Sequence, residues 1–164
     1  MSAATRLGLV TALVVALADQ ALKLWLLFGF ELGARGAVRL LPVLDLVLTW
    51  NYGISYGLFQ QEGAGRWVLV AIAVVATAAL AIWLWRADTR LTALSLGLII
   101  GGAVGNAIDR FAYGAVADFI HFHITTETIR FSWYVFNLAD AAIVAGVVGL
   151  LYESLFRTSA AKAP

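Results

Sequence analysis

Four apolar stretches, each about as long as a lipid bilayer is thick, constrain this chain more than anything else in it. They run roughly Leu7–Phe30, Trp67–Trp85, Leu91–Phe111 and Val135–Phe156, and crossing the hydrocarbon core takes about 20 helical residues. Inside lipid a backbone polar group finds no water to bond, so such stretches fold as helices. The second carries no charged residue. The first carries Asp19 and Lys23, the third Asp109 and Arg110 near its end, and the fourth Asp140 near its start and Glu153 near its end. A hydrophobic fraction of 62% and a mean hydropathy of +0.89 agree with a chain that lives in lipid. The expected fold class is an all-α membrane bundle, one domain over residues 1–164, with four transmembrane helices.

Composition also excludes some chemistry. With no cysteine, disulfides, thiolate metal sites and a Cys nucleophile are ruled out together. The net charge of +1 makes no case for nucleic acid. Arg6, the apolar run after it and Ala16-Leu17-Ala18 resemble a cleavable secretory signal. The apolar pattern continues through ALKLWLLFGF, however, which favours an uncleaved first helix.

The connections divide into long and short. Residues 31–66 are too many for a simple link. Within them Leu44, Leu46, Leu48 and Trp50 alternate with Val43, Asp45, Val47 and Thr49, the period of a strand. Asn51-Tyr52-Gly53 supplies a turn, after which Ile54–Phe59 is expected to pair back. A small sheet on one membrane face follows. Residues 112–134 read as a semi-polar, aromatic-bearing interfacial segment, with helical and extended conformations both open. RADTR, residues 86–90, is a tight basic turn. Arg6, Arg86, Arg90, Arg157 and Lys162 would share its side, against Arg35, Arg39, Arg66 and Arg130 opposite. The first set crowds into short flanks, where positive charge marks the cytoplasmic side. Both termini are therefore expected inside and the two long loops outside.

The third helix carries Gly97, Gly101 and Gly105 at four-residue spacing, a stripe that lets a neighbouring backbone approach closely. Beyond it Asn106, Asp109, Arg110, Asp118, Asn137 and Asp140 fall within 35 residues. Ionisable groups in such places are costly and mark function by default. With both ends inside and a rise of about 1.5 Å per residue, Asp19, Asp109, Asp118 and Asp140 all fall at one level near the outer surface. Two carboxylates in one low-dielectric pocket cannot both ionise cheaply, which sets an acid beside a base able to activate water. Asn137 and Asp140 also fit a helix cap, and Asp19 and Lys23, four apart, fit a pair that only joins helices. Asp118 with His121 and His123 would suit zinc, but in an extended chain Asp118 points away from both histidines, and no metal is expected.

Four blocks in order resemble the bacterial signal peptidase II family of intramembrane aspartic proteases. They are Asp19-Gln20-x-x-Lys23, Asn51-x-Gly53, GGAVGNAIDR followed by GAVADFI, and FNLADAAI. The resemblance implies four transmembrane helices, an external β-cradle and an interfacial segment over the site. It implies an aspartic endopeptidase whose substrate is a prolipoprotein already diacylglyceryl-modified on cysteine, cut just before that cysteine, with no cofactor. By position, Asp118 and Asp140 match the catalytic pair. Asp19, Lys23, Asn51, Gly53, Asn106, Asp109, Arg110, Asn137 and Ala139 match residues that line or support the site. The implied setting is the bacterial inner membrane, with the site near its outer face and the chain a monomer among membrane lipids. Ser55, Tyr56, His121 and His123 depart from the family pattern. A small proton-coupled transporter is the competing reading, since intramembrane acids also relay protons. No inverted repeat or mid-span break supports it. A purely structural subunit leaves the clustered acids unexplained.

Overall fold

The computed structural model describes residues 1–53 and 65–160. Among these residues four helices are long and apolar enough to cross a membrane: α1 Ala3–Leu24, α3 Gly65–Trp85, α4 Arg90–Tyr113 and α5 Leu138–Ala160. Ser2 caps α1 by accepting from the Thr5 amide, and Thr89 caps α4 by accepting from Thr92. The last turn of the first span widens into a π-helical segment, Trp25–Gly29, and a short helix α2, Leu32–Arg35, follows. The fourth helix starts three residues later than its apolar run. Asn137 is its cap, and Val135–Asn137 precede it as extended chain paired to the sheet.

Among the described residues the sheet has four antiparallel strands in the order β1 (Val38–Leu41), β2 (Leu44–Asn51), β3 (Val116–Thr125) and β4 (Arg130–Ser132). The alternating run at 43–50 is β2, as its period demanded. Asn51 Oδ1 accepts from the Gly53 amide and makes the turn. The expected return strand Ile54–Phe59 lies outside the described residues; β2 pairs with β1 and with β3. The conformation left open for 112–134 is extended, as β3 and β4. Gly114, at φ +81°, ends α4 and turns the chain into β3. A side chain there would be strained, and its Cβ would lie 3.0 Å from the Arg66 guanidinium.

α4 is the centre of the bundle, with α1 and α5 packed closely on it and α3 alongside. The glycine stripe makes this possible. A methyl at Gly97 would lie 2.4 Å from the Gly8 carbonyl oxygen, and one at Gly101 2.6 Å from that of Ala12. A methyl at Gly102 would lie 2.4 Å from the Ala139 carbonyl oxygen. Small residues thus set backbone against backbone, which is how helices gain contact in lipid. Outward positions such as Val14, Leu17, Val75 and Leu155 are exposed, as a lipid-facing surface requires. The described sheet lies at one end of the bundle, beside the C-terminal end of α4 and the start of α5.

Candidate active site

The polar residues picked out by the sequence gather where α1, α4 and α5 meet the sheet, but they sort into two groups. The first is a buried ionic core. Lys23 Nζ lies 2.8 Å from Asp19 Oδ2 and 2.8 Å from Asp109 Oδ2, and all three side chains are at most 2% exposed. Each acid also ties down a backbone amide: Ala139 N donates to Asp19 Oδ1 at 3.0 Å, and Ala117 N to Asp109 Oδ2 at 3.1 Å. The core thereby fixes the starts of α5 and β3, the two elements that carry Asp140 and Asp118. Gln20 completes it, donating to Asp19, Asp109 and the Gly105 carbonyl.

The second group surrounds a cavity of about 160 Å³, lined by Asn51, Asn106, Arg110, Val116, Asp118, Tyr134 and Asp140. Asp118 stands on β3 opposite Thr49 of β2. Asn51, two residues further along the same face, donates to Asp118 Oδ2 at 3.0 Å. Phe136 bridges to Ile120, which carries the next residue, Asn137, alongside Asp118. Asn137 Nδ2 donates to Asp118 Oδ1 at 2.6 Å and to Asn106 Oδ1 at 3.1 Å.

Asp140 does two things at once. Its amide donates to Asn137 Oδ1 at 3.0 Å while its Oδ2 accepts from the Asn137 amide at 3.1 Å, a reciprocal helix cap. Its Oδ1 accepts from Asn106 Nδ2 at 2.9 Å, and the carboxylate still lines the cavity. Capping and cavity are compatible. Asn106 joins the two groups, because its Oδ1 also accepts from Lys23 at 3.2 Å. Arg110 reaches over the cavity to donate to the Gly53 carbonyl at 2.6 Å. That bond ties the turn after β2 to α4.

The expectation of one polar site containing four acids is therefore refined. Asp19 and Asp109 share the Lys23 ammonium and are sealed from water; Asp118 and Asp140 share the cavity. Burial first, and the neighbouring Asp140 charge second, push the Asp118 carboxyl up to about 7, against the smaller pull of the Asn51 and Asn137 amides. Such a group changes protonation near neutral pH. His121 and His123 lie on the opposite face of β3 from Asp118, as strand parity requires. His123 Nε2 is 3.0 Å from Asp45 Oδ2 and His121 Nε2 2.8 Å from Ser132 Oγ. Tyr134, which lines the cavity, had no mark in the sequence, being one more aromatic in an aromatic-bearing segment, whereas Gln20 stood in the Asp19-Gln20-x-x-Lys23 block without an assigned role.

A bundle of apolar, membrane-length helices with a sheet folded over a carboxylate-lined cavity defines a polytopic membrane protein. Two solved structures described as bacterial membrane enzymes share the fold. One has a TM-score of 0.79 at 24% identity, covering 96% of this chain and 92% of that one. The other has a TM-score of 0.73 at 23% identity, covering 90% and 92%. A family model described as signal peptidase (SPase) II matches residues 11–156. The lipoprotein signal peptidase of Nitrobacter hamburgensis is 61% identical over 160 residues, 97% of this chain and 98% of that protein. That of Methylorubrum extorquens is 58% identical over 153 residues, 93% and 87% of the two chains. The chain belongs to the signal peptidase II family, and it is accordingly a membrane peptidase.

Proposed function

We propose that this peptidase is an aspartic endopeptidase that removes the signal peptide from diacylglyceryl-modified prolipoproteins, cutting just before the lipidated cysteine. The observation that carries the reading is the shared cavity of Asp118 and Asp140, two carboxyl groups facing one small space from different elements. Asp118, with its proton held to about pH 7, is the acid that polarises the scissile carbonyl. Asp140 is the carboxylate that takes a proton from the attacking water, and the pair then delivers a proton to the leaving amine. Asn51 and Asn137 hold Asp118, and Asn106 holds Asp140. Each bond leaves the side chain little freedom to turn away. The Asp19–Lys23–Asp109 core and Arg110 position these groups without touching the reacting atoms. No covalent intermediate is involved, so reagents for serine and cysteine nucleophiles leave the activity intact.

The substrate's lipid contributes to recognition in this reading. A cavity at the membrane surface lets acyl chains stay in the bilayer while the peptide enters. Each methylene kept from water is worth about 0.8 kcal/mol, so only two give about a tenfold preference. Purified protein incubated in detergent with diacylglyceryl prolipoprotein is expected to release a signal peptide. The unlipidated precursor is expected to be cut at least about tenfold less efficiently. Equal cleavage of the two would remove the lipid from the recognition; no cleavage of either would remove the activity.

We place the termini and the Arg86–Arg90 turn in the cytoplasm of the inner membrane, with the cavity near its outer face. Arg6, Arg86 and Arg90 flank the spans at one end. Reporter fusions after Arg90 are expected to report a cytoplasmic position, and insertions at 36–45 an external one. The inverse pattern would turn the site to the wrong side.

A further inference from the structure

A second cavity, of about 360 Å³, opens directly off the one that holds the two acids. Tyr134 and Asp140 line both. From Asp140 it runs along α5 past Ala141, Val144 and Ala145, all three exposed on the lipid-facing side of the helix. Five residues of helix make this floor about 7.5 Å long. Trp133, Tyr134 and Phe136 form the other wall. Their rings lie in sequence, with centroids 5.3 and 6.2 Å apart. The sheet holds that wall in place. The Trp133 amide donates to the Phe122 carbonyl, and Phe136 exchanges two backbone bonds with Ile120. The result is a trough, open sideways to lipid and ended by the Asp140 carboxylate.

The make-up of the trough selects its occupant. Beyond Asp140 its floor is apolar, and the alanines at 141 and 145, one helical turn apart, leave it deep. One turn of a helix about 10 Å wide takes up roughly 420 Å³. That exceeds the whole trough, so the apolar helix of a signal peptide does not enter. An extended peptide is narrower, but its amides and carbonyls would find no partner against an apolar wall in lipid. A hydrocarbon chain has no such groups and is thin enough. It gains little by leaving one apolar medium for another. What the trough adds is a fixed path that brings the attached glycerol, and with it the scissile bond, toward Asp140.

We propose, resting on the function proposed above, that one acyl chain of the substrate's diacylglyceryl group lies in this trough. The small side chains of Ala141 and Ala145 admit it, which makes them determinants of specificity for the lipid.

The test uses two precursors of one peptide sequence, carrying either dipalmitoylglyceryl or diacetylglyceryl on the cysteine. Ala145→Phe fills the trough from its floor. It is expected to lower kcat/KM on the long-chain precursor by about tenfold, the lower end of what a misfit costs in an apolar pocket. The short-chain precursor has no chain to displace, and its kcat/KM should match the parent's. Val147→Phe, at an exposed position of the same helix outside the trough, should alter neither. Ala145 is itself exposed, so the variant should unfold at the temperature of the parent protein. An equal loss on both precursors would put peptide in the trough, and unchanged cleavage of both would leave it without a role; either overturns the proposal. A second measurement needs no turnover. Bound to Asp118→Asn protein, a precursor with a diazirine near the ester end of one acyl chain is expected to crosslink within residues 141–145. Crosslinks confined to other elements overturn the proposal. Crosslinks within 141–145 without cleavage by the parent protein would uphold the lipid site and remove the peptidase reading instead.

Discussion

Asp118→Asn and Asp140→Asn are each expected to lower the cleavage rate by about 10²–10⁴-fold, the usual worth of a positioned acid or base. The double variant should be little worse than either single one, because groups acting on one water fail together. Asparagine is nearly isosteric, and the Asp19–Lys23–Asp109 core that fixes both elements is untouched, so these proteins should purify and unfold like the parent. Substantial activity in either single variant would show that the carboxyl removed is not required. The pH profile provides a second check on the same pair. With Asp140 ionised, Asp118 loses its proton as pH rises through about 7, and the doubly ionised pair has no acid to offer the carbonyl. The limb of kcat/KM on the alkaline side is therefore expected to fall near pH 7, on a curve that belongs to the coupled pair. A rate that held constant from pH 6 to pH 9 would contradict the assignment of Asp118 as the acid.

Lys23→Met is expected to produce the largest loss of stability. The substitution leaves Asp19 and Asp109, both fully buried, facing one another without a cation. Breaking a buried pair by removing one partner costs roughly 3–5 kcal/mol. The damage reaches the site indirectly. Asp19 holds the Ala139 amide and Asp109 the Ala117 amide, so α5 and β3 lose their anchors together. Thermal unfolding in detergent should show a much lower midpoint, and activity should track the folded fraction. Replacing Asp19 and Asp109 by Asn in the same chain should recover part of the loss, since no uncompensated charge then remains. An unchanged midpoint for Lys23→Met would mean that the core contributes little to holding the fold.

What the sequence reveals about this molecule follows from which physical signals are one-dimensional. A span of about 20 apolar residues advertises itself, and the four helices appear where hydropathy places them. The strand β2 is equally legible, because its alternation is uninterrupted from Val43 to Trp50. In β3 the same period is blurred: Asp118 points into the protein, His121 and His123 point out, and apolar residues occupy both faces. Depth along a helix can be counted from residue number, so the convergence of Asp19, Asp109, Asp118 and Asp140 at one level was readable. Direction around the helix axis was harder to fix without knowing the neighbours. The division into a sealed core and an open cavity depends on that direction, and on Lys23 having reached Asp109 as well as Asp19. Asn137 illustrates the same limit. Its capping of α5 is local and was readable, whereas its bond to Asp118 exists only because Phe136 pairs with Ile120 across the sheet.

The pairing of β2 with β3 has a consequence for the order in which the molecule is made. Asn51 and Asp118 bond across strands separated in the chain by two complete membrane crossings. Asp140 arrives only with the last helix. During synthesis the first half of the sheet must wait, edge exposed, until α3 and α4 have been inserted and β3 has reached the same side. No nascent intermediate holds both acids in one cavity. On the mechanism proposed above, the peptidase is therefore inert until its own last helix is in place.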